Sequence, residues 1–334
     1  MILMIYTSFS TFVKLDHDIL SKNYVVKKYS YDNKKSIISH FKNQFKIFFW
    51  LLAKINECDA VYIWFADYHS FFPIFFCNVF RKKSFLILGG YDVTYLPALN
   101  YGSQNNRIRK FSTIFSIKNA SVILPVSRYV LENAKVMVPT ANFNVLYNGF
   151  NSQIFFDNNN EKENLIITVG IINSEQRIKL KGIDLFVEAA KNLPMFKFVV
   201  IGISNEMQQY FNNIPENLIF IDKVIHEELV SYYQKAKVYC QFSIVESFGL
   251  AVVEAMACGC IGVVSNNGAL AEVIKNYGVI INNSSIDEVK NAINYAVSHS
   301  KQLKNKSSQF VLDNYNIKIR EEKLLSIINS YIKI

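Results

Sequence analysis

Val245-Glu246-Ser247-Phe248-Gly249-Leu250-Ala251-Val252-Val253-Glu254-Ala255-Met256-Ala257-Cys258-Gly259 decides how this chain is read. The apolar run before it, Val238-Tyr239-Cys240-Gln241-Phe242, predicts a buried strand. The stretch itself predicts a polar turn that opens into a helix apolar almost all the way round, and such a helix belongs in a protein interior. Two acids interrupt it: Glu246 at the turn and Glu254 eight residues later. A carboxylate in apolar surroundings is costly unless it is hydrogen-bonded. Two of them placed here point to a ligand rich in hydroxyl groups. Between them, Ser247-Phe248-Gly249-Leu250 starts the helix, where backbone N–H groups and the helix dipole suit a phosphate. Gly249 permits close approach of the backbone.

The same rhythm extends in both directions. Short apolar runs predict strands at 1–6, 22–27, 60–64, 84–88, 121–126 and 144–147, then at 165–170, 197–202, 218–222, 238–242, 261–265 and 278–281. Amphipathic stretches predict helices near 34–56, 67–80, 104–118 and 127–136, then near 181–193, 205–213, 226–236, 249–258, 269–275 and 286–300. This alternation argues for α/β architecture with parallel sheets covered by helices on both faces. A length of 334 residues fits two domains. The polar run Asp157-Asn158-Asn159-Asn160-Glu161 after Asn148-Gly149 marks the junction. The expected division is 1–148, 149–315 and a C-terminal helix, 316–334, packing back on the first domain. Two such domains face a cleft, and ligands bind at the carboxyl ends of their strands.

A second phosphate-binding element is expected in Asn173-Ser174-Glu175-Gln176-Arg177-Ile178-Lys179-Leu180-Lys181-Gly182. It reads as a loop whose three cations face one edge and neutralise a diphosphate. Lys181-Gly182, the Glu246…Glu254 segment and Asn267-Gly268-Ala269-Leu270-Ala271-Glu272 together resemble glycosyltransferase family 4. The spaced glutamates resemble that family's E-x7-E motif, and the stretch from Val145 through Asn148-Gly149 to Phe155 resembles its interdomain signature. The resemblance runs from about residue 145 to 300. It implies a retaining enzyme of the GT-B fold, two Rossmann-like domains using a nucleotide-diphosphate sugar without a metal or other cofactor. It implies donor-sugar hydroxyls on Glu246, ribose hydroxyls on Glu254, and the diphosphate on Lys181 and the amides of Ser247, Phe248, Gly249 and Leu250. The family usually has an arginine directly after Gly170; Ile171 stands there, and Arg177 is the expected substitute.

The first domain matches only in outline, at Gly89-Gly90-Tyr91-Asp92. Asp92 follows a strand and is expected to point at the acceptor as its catalytic partner, with a helix cap as the alternative. His69 is the second acceptor candidate. The other histidines, His226 included, read as incidental. Residues 1–150 hold 18 Lys and Arg against 8 Asp and Glu, a charge of +10; residues 151–334 hold 18 against 19, a charge of −1. The basic half suits nucleic acid, an anionic membrane or a phosphorylated substrate. No nucleic-acid motif is present. The aromatic, basic helix near 36–54, with Arg81-Lys82-Lys83 and Arg107-Ile108-Arg109-Lys110, suggests a membrane-facing patch; ordinary core packing is the alternative for that helix. The expected acceptor is a glycan or polyprenyl-diphosphate-linked glycan of a bacterial surface polysaccharide. A sugar phosphorylase, a nucleotide-sugar epimerase and a non-catalytic binding module of the same fold stay open. The start, Met1-Ile2-Leu3-Met4-Ile5-Tyr6, reads as a buried strand and not a signal peptide. Five cysteines without zinc spacing read as reduced thiols of a cytoplasmic protein, peripheral at most on the inner face of the membrane.

Overall fold

The computed structural model describes residues 1–32 and 37–332, which divide into two compact units. One is Met1–Asn148 together with the chain from Lys318 onward; the other is Gly149–Ile317.

The first unit holds five parallel strands: β1 (Ile2–Tyr6), β2 (Val26–Ser30), β3 (Ala60–Trp64), β4 (Lys83–Leu88) and β5 (Val122–Pro125), in the order β2-β1-β3-β4-β5. Every residue of β1, β3 and β5 is buried, the pattern of strands covered on both faces. The helices are α1 (Thr11–Asn23), α2 (Ile37–Lys54), α3 (Tyr68–Val79), α4 (Arg107–Asn119) and α5 (Arg128–Met137).

The second unit holds six parallel strands: β6 (Glu163–Ile172), β7 (Lys197–Ile203), β8 (Leu218–Ile221), β9 (Ala236–Gln241), β10 (Ile261–Ser265) and β11 (Val279–Ile281), in the order β11-β10-β9-β6-β7-β8. Its helices are α6 (Glu175–Lys181), α7 (Ile183–Asn192), α8 (Asn205–Gln208), α9 (Leu229–Lys235), α10 (Leu250–Ala257), α11 (Leu270–Ile274), α12 (Ile286–Ser298) and α13 (Ser300–Tyr315). The chain moves outward from β6 to β8 and returns on the other side of β6 as β9. The reversal of strand order therefore falls between β6 and β9, where doubly wound sheets open a crevice. Both units are Rossmann-like α/β parallel-sheet domains, as the alternation predicts.

The local reading fails where charge sits inside the core. The strand expected at 22–27 is the end of α1 and the start of β2. The periodicity of α1 is broken by Asp16, which is fully buried. Residues 144–147 are not a regular strand, although Asn144 N–H and Leu146 N–H bond the carbonyls of Ile123 and Pro125 beside β5. The expected start of α2 at 34–36 lies outside the described residues, as do the side chain of Ile37 and the last two residues of the C-terminal helix.

The last helix, α14 (Ile317–Tyr331), answers Asp16. Arg320 Nε and Nη2 reach the two Asp16 oxygens at 2.7 and 2.8 Å, and Arg320 Nη1 donates to the carbonyls of Leu146 and Tyr147 at 2.9 and 2.7 Å. Tyr62 Oη and Trp64 Nε1 donate to Asp16 Oδ2 at 2.5 and 3.0 Å. A buried carboxylate and a buried guanidinium are tolerable only because each is met in this fork geometry. Arg320→Ala strands Asp16 and is expected to lower unfolding stability by about 3–5 kcal/mol in urea titration. Lys22→Ala, which breaks the exposed pair with Glu321, is expected to cost under about 1 kcal/mol. Equal losses in the two variants would contradict this account.

Candidate functional site

Glu246 lies at the carboxyl end of β9, beside the reversal of strand order. Ala269 N–H donates to its carbonyl at 2.8 Å. Gly268, at φ +65°, packs so closely that a Cβ there would come within 2.2 Å of the Glu246 carbonyl oxygen. Ser265 Oγ and Asn267 Nδ2 both donate to the Ser243 carbonyl, at 2.7 and 3.2 Å. The loop after β9 is thus pinned by the loop after β10.

From the other side comes α6. Ser174 caps it, its Oγ accepting from Arg177 N–H at 3.3 Å. It ends at Gly182, φ +66°, where a Cβ would come 2.2 Å from the Phe242 carbonyl oxygen. Ile244 N–H bonds the Leu180 carbonyl at 2.9 Å. These ties carry Lys181 to Glu246: Nζ donates to Oε2 at 2.7 Å. Gln241 Nε2 donates to the same oxygen at 2.6 Å, and Ser247 N–H to Oε1 at 3.2 Å. The Lys181 and Glu246 side chains keep 21 and 18 % of their surface exposed, so the pair is open to a ligand.

The segment 173–182 is a correction. It is a capped helix, not a loop; Ile178 and Leu180 are buried, and its charges had masked that apolar side. Four residues apart, Arg177 and Lys181 share a helix face, while Lys179 is exposed elsewhere on the helix. Two of the three cations, not all three, therefore lie on the expected edge. Ile171 is 73 % exposed at an irregularity of β6.

The helix predicted from the opening stretch is α10, entered at Gly249 with φ +89°. Phe248 is buried, its ring edge-on to Tyr315 with centroids 5.3 Å apart. Ser247 N–H is committed to Glu246, and Val252 and Val253 N–H bond the Gly249 carbonyl. That leaves Leu250 and Ala251 to supply the first-turn amides.

Glu254 is 3 % exposed, and Oε1 lies 2.9 Å from His226 Nε2. His226 opens a short 3-10 turn, His226–Glu228, after β8, and its ring packs at 5.0 Å on Phe155. This is the functional candidate that sequence reasoning missed. It begins the helical stretch, as expected, but it is not incidental. The only signal was a buried acid in need of a donor, and nothing in the sequence names that donor. Burial opposes the charge on His226, but the hydrogen bond and charge of Glu254 outweigh it and hold the imidazole above its usual value. Burial pushes the Glu254 carboxyl up, against the bond from His226.

In the first unit, Asp92 and His69 are both buried and bonded to the backbone. Asp92 is 1 % exposed, and its carboxylate accepts from the amides of Ala66, Gly89 and Gly90 at 3.0, 3.3 and 2.8 Å. It organises its own turn, as in the capping alternative. Burial pushes its pKa up to about 6, against those amides. His69 is 2 % exposed, with Nε2 2.7 Å from the Trp64 carbonyl; burial lowers its pKa, and it is a core residue. Arg109, grouped with the basic surface, turns inward instead: Nη1 donates to Tyr91 Oη at 3.1 Å and Nε lies 3.6 Å from Asp67. Among the described residues, no group of three or more His, Cys, Asp or Glu side chains could hold a metal ion, and no helix is long and apolar enough to cross a membrane.

The pair His226–Glu254 sets a pH dependence. A histidine whose folded pKa is raised stabilises fully below its unfolded value, about 6.5, and loses that contribution as pH rises through the folded value. Glu254, also raised, adds a loss of the same sign, beginning from the ordinary carboxylate range. The melting temperature is therefore expected to fall from about pH 6.5 upward more steeply in the native protein than in His226→Gln. Identical slopes in the two proteins would contradict the pairing.

Residues 150–314 match the family model described as Glycosyl transferases group 1. The chain is 30% identical over 156 residues to the uncharacterized glycosyltransferase MJ1607 of Methanocaldococcus jannaschii, covering 41% of this chain and 40% of that protein. It is 25% identical over 323 residues to Protein CapJ of Staphylococcus aureus, covering 90% of this chain and 80% of that one. The chain thus spans less than half of the first relative and four fifths of the second. Among solved structures, HepE of Anabaena in complex with UDP and glucose superposes with a TM-score of 0.76 at 13% identity, over 98% of this chain and 99% of that one. At that identity the likeness concerns the fold. Nearly the whole second unit of this chain thus matches the glycosyl transferases group 1 model, and the chain has the GT-B fold of two Rossmann-like parallel-sheet domains.

Proposed function

We propose that the protein is a retaining glycosyltransferase. In this reading it moves a sugar from a nucleoside-diphosphate sugar to a glycan or polyprenyl-diphosphate-linked acceptor, in the assembly of a bacterial surface polysaccharide on the cytoplasmic side of the membrane. The observation that carries the reading is the Lys181–Glu246 pair, held at the reversal of strand order beside the first turn of α10. A cation and a carboxylate here match the two halves of such a donor. Lys181, with Arg177 on the same helix face and the amides of Leu250 and Ala251, meets the diphosphate; Glu246 accepts from the hydroxyls of the transferred sugar. Glu254, held by His226, accepts from the ribose hydroxyls. Cations and amides carry the phosphate charge in this reading, with no metal in the reaction.

In the transfer, the bond between the anomeric carbon and the diphosphate oxygen breaks and leaves an oxocarbenium-like sugar. The acceptor oxygen bonds to that carbon on the same face. Its proton passes to the departing diphosphate, since Asp92 is committed to three backbone amides. The cations stabilise the charge that develops as the bond breaks.

Nucleoside-diphosphate sugars, UDP-glucose among the first, are expected to raise the melting temperature, and the free nucleoside diphosphate to do so as well. Glu246→Gln is expected to keep nucleotide binding and lower kcat by about 100- to 1,000-fold. Lys181→Ala is expected to weaken nucleotide binding by about tenfold. No stabilisation by any nucleotide sugar, or turnover of Glu246→Gln within about threefold of native, would refute the assignment. Release of free sugar phosphate without an acceptor product would point to a phosphorylase.

A further inference from the structure

The helices α2, α3 and α4 lie side by side in the first unit and expose large apolar side chains on their outer surface. On α2, Ile47 and Leu51 are fully buried, while Phe41, Phe45 and Phe49, spaced four apart, form a second stripe. Phe41, Phe45, Phe49, Ile108 and Phe111 are 62–65 % exposed. Between α2 and α4, with Phe71 and Phe72 of α3 as its floor, runs a groove of about 520 Å³. Its only polar lining side chains among the described residues are Gln44, Tyr68 and Ser112. The floor is built: Phe71 packs on Phe115 with centroids 4.4 Å apart, and Phe72 on Phe48 at 5.3 Å. A helix exposing this much apolar surface lacks a partner on that side.

Charge identifies the partner. The sequences of α2, α3 and α4 contain no Asp or Glu. Lys42 and Lys46 on α2 and Arg107 and Lys110 on α4 flank the phenylalanines, are exposed, and form no ion pair with a described carboxylate. A second copy of the chain would bring these cations against their own kind across a two-fold axis. An anionic bilayer opposes them with phosphates and presents hydrocarbon to the phenylalanines.

We propose that the outer face of α2, α3 and α4 docks on an anionic lipid bilayer, with Phe41, Phe45, Phe49, Ile108 and Phe111 below the headgroups and a lipid chain in the groove. The cations then lie at headgroup level, where each adds attraction that salt screens. This surface stands on its own residues and does not depend on the sugar-transfer reading.

The test is flotation of the full chain with vesicles. The native protein is expected to float with phosphatidylcholine–phosphatidylglycerol vesicles at about 50 mM salt, and several-fold less at about 500 mM salt or with phosphatidylcholine alone. Phe45→Ser/Phe49→Ser/Phe111→Ser is expected to float at least about tenfold less, with its unfolding transition and nucleotide binding intact. Lys42→Glu/Lys46→Glu/Lys110→Glu is expected to lose the dependence on phosphatidylglycerol. The proposal is overturned if the native protein does not float at low salt, or if the phenylalanine variant floats as well as native. It is also overturned if the native chain is a dimer without lipid that the phenylalanine variant splits into monomers. Flotation with no sugar transfer would leave this surface standing and count against the transferase reading alone.

Discussion

A carboxylate at the end of a buried parallel strand has to be met by donors, and the donors of Glu246 come from separate pieces of chain. Gln241 closes the same strand, Ser247 follows in the turn, and Lys181 arrives from the helix after β6. Much of the local architecture serves that meeting. Gly182 lets the end of α6 lie against the Phe242 carbonyl, and Gly268 lets the loop after β10 lie against Glu246 itself. Side chains at either position would push the cation and the carboxylate apart. Because β6 and β9 are neighbours at the reversal of strand order, these loops open at the same edge of the sheet.

The same constraint recurs twice and is solved differently each time. Glu254, deeper than Glu246, has one strong partner, His226, and the bond ties α10 to the turn after β8. Asp16 has no access to solvent and takes a bidentate arginine from the last helix, with a tyrosine and a tryptophan also donating to Oδ2. The more exposed pair, Lys181–Glu246, keeps access to solvent; the sealed pair holds the first unit together.

The first unit carries its chemistry on its surface. Its polar candidates, Asp92 and His69, are consumed by the backbone, whereas its outer helical face is apolar and basic without an acidic counterpart. This matches the charge division along the chain, where the entire basic excess belongs to residues 1–150.

The sequence by itself determined the alternation of strands and helices, the division into two α/β domains, and the strand–turn–helix carrying Glu246 and Glu254. All three are local: periodicity, turn residues and the scarcity of acids in apolar runs can be read within about fifteen residues. Tertiary structure alone decided which groups satisfy the buried charges. Lys181 lies 65 residues from Glu246, His226 lies 28 from Glu254, and Arg320 lies 304 from Asp16. It also decided that Asp92 turns toward its own amides and that 173–182 is a helix. A hydrogen bond depends on where the fold brings a donor, and residue type and spacing along the chain do not encode that position.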